Sequence, residues 1–192
     1  MTSAQEMTRE MIEGFVIAAH RGDVAKVKEL LEKHPALLNA RWNRTNETAL
    51  EAAAHTGQRD VAEYLLSKEA PLDICTASML GMTDRVASFL EADLSLANAR
   101  GAHGISVLFH AAMSGQTDIA ELLLAHGGGE GIDGSLHGAT RFGHTEMVKW
   151  LLAHGAKDVN VLNFEQKTPL RVAIERGYND IADLIRQHGG VE

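Results

Sequence analysis

The chain has 192 residues, 45% of them hydrophobic and 23% charged, the ordinary range of a globular protein. Its net charge is −8 and no run of adjacent Lys or Arg exceeds two residues, which argues against nucleic acid and anionic membranes as partners. No stretch approaches the roughly 18 apolar residues a membrane span needs, and the single cysteine, Cys75, excludes an internal disulfide and points to a reducing, cytoplasmic setting.

At the N-terminus, "MTSAQEMTRE" lacks the basic stretch and apolar core of a secretory signal. The N-x-T triplets at Asn43 and Asn46 are therefore read as chance rather than glycosylation sites. Ser3 and Glu6 fit a capping box, and Met7, Met11, Phe15 and Ala18 form an apolar stripe. Residues 4–13 are expected to be helix, within an N-terminal capping segment 1–13. Further on, six short Ala-rich segments each end on a glycine: "FVIAAHRG", "LEAAAHTG", "ICTASMLG", "LFHAAMSG", "LHGATRFG" and "LRVAIERG". These glycines are Gly22, Gly57, Gly81, Gly115, Gly143 and Gly177. After each comes a second apolar segment, such as "TDIAELLL", with helical spacing at Ile119, Leu122 and Leu123.

Each unit reads as two helices joined at the aligned glycine. Thr48, Ser106 and Thr168 are placed to cap first helices, with Pro169 at the first helical position. Thr83, Thr117 and Thr145 precede second helices, each followed by an acidic residue. Gly127, Gly155 and Gly189 follow second helices, where a left-handed cap favours glycine. Ala53, Ala111 and Ala173 are small enough for neighbouring first helices to stack closely.

The segment "TPLRVAIERGYNDIADLIRQHGG" at 168–190 resembles the ankyrin-repeat consensus, and "SVLFHAAMSGQTDIAELLLAHGG" is nearly as close. The resemblance covers roughly residues 14–190 and extends to small stand-alone bacterial proteins of this family. It implies an all-α solenoid of six helix-turn-helix repeats, one domain spanning 1–192, with about three short β-hairpin fingers. It also implies a protein partner, bound by finger residues and by the residues just before each aligned glycine. Transferred position by position, those are Arg44, Thr45 and Glu47 with His55 and Thr56, then His103 and Ile105 with Met113 and Ser114, then Phe164, Glu165 and Lys167 with Glu175 and Arg176.

Glycine spacings alternate: 35, 24, 34, 28 and 34 residues. Against a family unit of about 33 residues, three joints have room for a finger (39–48, 98–106 and 158–168) and two do not. "LLNAR" at 37–41 and "LANAR" at 96–100 open the first two long joints, so the working unit is a pair of repeats. With helices ~8–10 Å apart, fingers at alternate joints stand ~20 Å apart rather than ~10 Å. The short joint "GGGEGIDGS" contains a G-x-G-x-x-G match, but a helix precedes it where dinucleotide binding needs a strand. Its five glycines within 127–134 suggest a hinge.

No H-E-x-x-H, C-x-x-C, nucleophile elbow or P-loop occurs. No catalytic residue, metal ligand or cofactor is therefore assigned. His126, His154 and His188 recur just before a capping glycine, where imidazole complements the helix C-terminus. His20 and His55 share a position two residues before the aligned glycine, and His55 is the better candidate for a contact or pH-sensitive role. Cys75 reads as a half-buried structural thiol. Trp42 and Phe164 fall in predicted fingers, either as exposed anchors for a partner or folded back on the helices. The expected function is a non-catalytic protein-binding scaffold, monomeric when free. The alternatives are a histidine-dependent metal-binding protein or enzyme, and a self-associating structural protein.

Overall fold

In the computed structural model, which describes residues 8–192, twelve α-helices follow one another in pairs. They are α1 (Arg9–His20), α2 (Val24–Lys33), α3 (Ala49–Thr56), α4 (Arg59–Ser67), α5 (Ile74–Met79), α6 (Thr83–Ala92), α7 (Val107–Ser114), α8 (Thr117–Ala125), α9 (Ile132–Arg141), α10 (Thr145–Ala153), α11 (Pro169–Arg176) and α12 (Asn179–Gln187). The odd-numbered helices stack on one another in an unbroken row from α1 to α11. Among the even-numbered helices, α2 meets α4 and the series α6–α8–α10–α12 is continuous. No helix of the described residues is long and apolar enough to cross a membrane.

Local chemistry sets the helix ends. Thr48, Ser106 and Thr168 accept hydrogen bonds from the amides of Glu51, Phe109 and Arg171, and Thr48 with Glu51 forms a full capping box. Thr83, Thr117 and Thr145 are themselves the first helical residues, one place later than their sequence suggested. Their hydroxyls cap nothing there, while Asp84, Asp118 and Glu146 still sit in the positive first turn. At the N-terminus, α1 begins at Arg9 with Thr8 as its cap. The part of the predicted capping segment from Arg9 to Glu13 is thus the start of the first stacked helix. Ser3 and Glu6 lie outside the described residues.

Ala53, Ala111 and Ala173 are fully buried between first helices, as their size requires for close stacking. The apolar interior falls into two clusters. One gathers Phe15, Val27, Leu37, Leu50, Val61 and Leu65, with Met79 and Leu80 at its border. The other runs from Ile74 to Ile185 through Leu90, Leu108, Ile119, Leu123, Leu136 and Leu151. Each large side chain taken fully from water contributes about 1.5–3 kcal/mol.

The three expected hairpins are not formed as strands among the described residues. The first two long joints each reduce to one antiparallel bridge, Trp42 with Glu47 and Arg100 with Ser106. The third is a tight turn closed by the Lys167 carbonyl accepting from the Asn163 amide at 3.0 Å. A two-stranded ribbon with no third strand is marginal, and Asn46, His103 and Gln166, all at positive φ, turn the chain back at once. The repeated "NAR" acts here. Arg41 donates to the Asn46 carbonyl and grips Glu51 through both terminal nitrogens. Arg100 donates to the Gly104 carbonyl and to Glu130. Each arginine ties its loop shut and fastens it to a neighbour.

Contacts are not confined to nearest neighbours in the stack. A Cβ placed on Gly57 would lie 2.3 Å from Cζ of Phe142, although α5 and α7 come between α3 and α9 in the row. Phe142 packs against the N-terminal cluster. The short α5 and the two fingerless joints thus let the inner faces of the second and fifth helix pairs meet.

Candidate functional site

Inward closure leaves a groove of about 940 Å³ along the row of first helices. His55, Thr56, His103 and Ile105 line one end. Phe109, His137 and Arg141 lie along it, and Phe164, Glu165, Lys167, Glu175 and Arg176 line the other end. Most of the residues expected on a partner-binding face therefore share one cavity.

Others do not. Trp42 is only partly exposed, packs on the N-terminal cluster, and carries the Arg44 guanidinium 5.8 Å above its ring. Met113 is buried, and its carbonyl accepts from His144 Nε2 at 2.9 Å. Ser114 bonds back to the Ala111 carbonyl, and neither it nor Arg44 or Thr45 lines the groove. Phe164, by contrast, is 89% exposed. The two finger aromatics thus took opposite courses: Trp42 folds back on the helices, and Phe164 stands free.

Charge in the groove is unevenly matched. Lys167 is held by Glu165 and Glu175 at 2.9 and 2.7 Å. Arg141 has its proton affinity lowered by partial burial and by the positive charge of Arg176, with Glu165 opposing. Two guanidiniums thus stand close enough to disfavour one another.

At the head of the groove lies an arrangement the sequence did not announce. Glu47, expected on a fingertip, is 0% exposed. The Trp42–Glu47 bridge and the Asn46 turn direct its side chain inward. There Oε1 is 3.0 Å from His20 Nε2, and Oε2 is 3.0 Å from His55 Nε2 and 3.4 Å from His103 Nε2. His20 closes α1 and His55 lies near the end of α3, so their shared register sets them side by side. Their ring centroids are 4.7 Å apart. His103 comes from the second long joint, held over the first by the left-handed turn at its own backbone.

The electrostatics follow from this packing. Burial by itself would raise the Glu47 carboxyl. The hydrogen bond from His20, the nearby Thr45 hydroxyl and the charges of His20 and His55 outweigh it and hold the group below its ordinary value. The Thr45 hydroxyl contributes by proximity, since its geometry falls short of a full hydrogen bond. His55 is pushed down to about 4 by burial and by the charge of His20, against the pull of Glu47. At neutral pH the hub is a carboxylate, and the His20 and His55 Nε2–H groups donate to it. One carboxylate oxygen and three imidazole nitrogens, from four separate segments, lie within 4.8 Å of one another.

Three other histidines serve helix ends. His126, His154 and His188 each place Nδ1 2.8 Å from the carbonyl four residues back, satisfying a helix end. Cys75 is buried and its thiol pushed up, chiefly by burial, which leaves it unreactive.

Among protein families, the model described as "Ankyrin repeats (3 copies)" fits residues 10–76 and 133–192, more than half of the chain. No curated protein matches the chain.

Proposed function

The chain belongs to the ankyrin-repeat family, and from that premise we propose that it is a non-catalytic scaffold that binds a polypeptide segment of a partner protein in the groove. Members of the family generally mediate protein–protein interaction. The observation that carries the reading is that the free Phe164 ring and two arginines, Arg141 and Arg176, line one groove. An exposed aromatic is a strong anchor for an apolar side chain. A carboxylate that reaches either guanidinium gains a charge-assisted hydrogen bond. The segment that fits is therefore one with an apolar residue and an acidic residue close together. The scaffold acts as a monomer in a reducing, cytoplasmic setting. Its six repeats form one domain, with the three long joints as reduced fingers.

Affinity capture from extract of the native cell tests this, comparing wild type with Phe164→Ala/Arg176→Glu. Both positions are exposed, so the fold is retained. A genuine partner is expected to lose at least about tenfold in affinity, the scale of one or two interface anchors. If both proteins retain the same partners equally well, the groove is not the binding face.

A further inference from the structure

We propose that His20, His55, His103 and Glu47 form a binding site for a divalent transition-metal cation of the zinc class, and that the ion staples the first two long joints to the first two helix pairs. This site is distinct from the anchors of the groove and does not depend on them.

The donor set is the first reason. Three imidazole nitrogens and one carboxylate oxygen suit zinc and its neighbours, and do not suit calcium or magnesium, which take oxygen ligands. The second reason is geometry. Bonds of about 2.0–2.1 Å in a tetrahedron set neighbouring ligand atoms about 3.3 Å apart. His55 and His103 Nε2 stand 3.0 and 3.4 Å from Oε2, His20 Nε2 stands 3.0 Å from Oε1, and the four ligand atoms lie within 4.8 Å of one another, so a modest contraction brings them onto one ion. Three rings pointing at one tetrahedral ion have centroids about 5 Å apart. Here the separations are 4.7, 4.8 and 6.4 Å, all with edge-on tilts. The widest gap is between His20 and His103. His103 is on a loop with its side chain 35% exposed, so the ring best able to move is one of the two that must close on the ion.

The third reason is the shape of the hub. Each imidazole presents the same atom, Nε2, to a carboxylate that water does not reach. Without an ion, hydrogens on these nitrogens must converge on two oxygens. With one, each ring carries its hydrogen on Nδ1 and turns its Nε2 lone pair to the cation. Taking four ligands from α1, the first long joint, α3 and the second long joint makes the ion a structural one. It would join the N-terminal cluster to a loop that lies between helices of the C-terminal one.

The test uses untagged full-length protein freed of metal by a chelator. Titration with Zn²⁺ is expected to give one binding event per chain and a rise in Tm that the chelator reverses. Co²⁺ is expected to give intense visible absorption, the mark of four-coordinate geometry. His103→Ala removes a ligand from an exposed loop and spares the core. It is expected to weaken Zn²⁺ binding by more than the ~10–100-fold that loss of a mere supporting residue costs. His188→Ala, far along the chain, is expected to leave binding unchanged. The proposal is overturned if Zn²⁺ neither binds nor raises Tm, if Co²⁺ gives only weak six-coordinate bands, or if His103→Ala binds Zn²⁺ as tightly as wild type.

Discussion

His110 lies in α7 with Nδ1 2.8 Å from the Ser106 carbonyl, which can only accept, so the ring carries its hydrogen on Nδ1. It is buried. Burial lowers its pKa, and the Ser106 bond and the Asp73 charge oppose this without cancelling it. His137 is lowered for the same reason against its bond to the Val161 carbonyl. In the unfolded chain both rings take a proton near pH ~6.5. Below that pH the unfolded state binds more protons than the folded one, so stability falls as pH falls and is fully present above it. The slope cannot exceed ~1.4 kcal/mol per pH unit for each ring. Urea unfolding at pH 7.5, 6.5 and 5.5 should show the decline, and His110→Gln should flatten it. A mutant with the wild-type slope would remove His110 from this account.

Among the elements, the joint after α8 is the sharpest case. Its glycines suggested a hinge, yet the structure fastens it from several sides. Gly128 donates to the Leu123 carbonyl at 2.8 Å, Asn98 donates to the Gly127 carbonyl, and the Glu130 amide donates back to Asn98. Gly128 is needed for close approach: a Cβ there would lie 2.6 Å from the Ala97 and Leu123 carbonyl oxygens. Hydrogen exchange should find the Gly128 and Glu130 amides protected, and Asn98→Ala should speed exchange at Glu130 by about two- to tenfold, the worth of one hydrogen bond. Fast exchange at both amides in the wild type would restore the hinge. Composition names a flexible residue, and only the fold shows whether flexibility or closeness called for it. Much else at this scale was legible. Thr48, Ser106 and Thr168 cap as read, because a cap depends on neighbours three residues away. The histidine hub was half legible. His20 and His55 share a repeat position, but Glu47 turns inward and His103 reaches it only because the joint between α4 and α5 carries no finger. That is a property of the stack, written in no single segment.

For the molecule as a whole, the meeting of Phe142 with Gly57 is the least local feature. Gly57 is at φ 75°, a conformation that costs any other residue about 1–2 kcal/mol. A methyl group there would also push into the Phe142 ring. Gly57→Ala is expected to destabilise by about 2–4 kcal/mol, combining backbone strain with overpacking. Combined with Phe142→Ala, the loss should be less than the sum of the two, because the second change makes room for the first. Denaturant unfolding of the four proteins checks this, and simple additivity would mean the two residues do not touch.

A stack whose units see only their neighbours can grow or shrink by one unit and lose little. Here the reach from Gly57 to Phe142 is satisfied when two helix pairs lie between them. An extra pair inserted there, or one removed, would leave the ring without its seat. The contact therefore works as a gauge of length, and it sets this chain apart from open-ended arrays that can be extended at will.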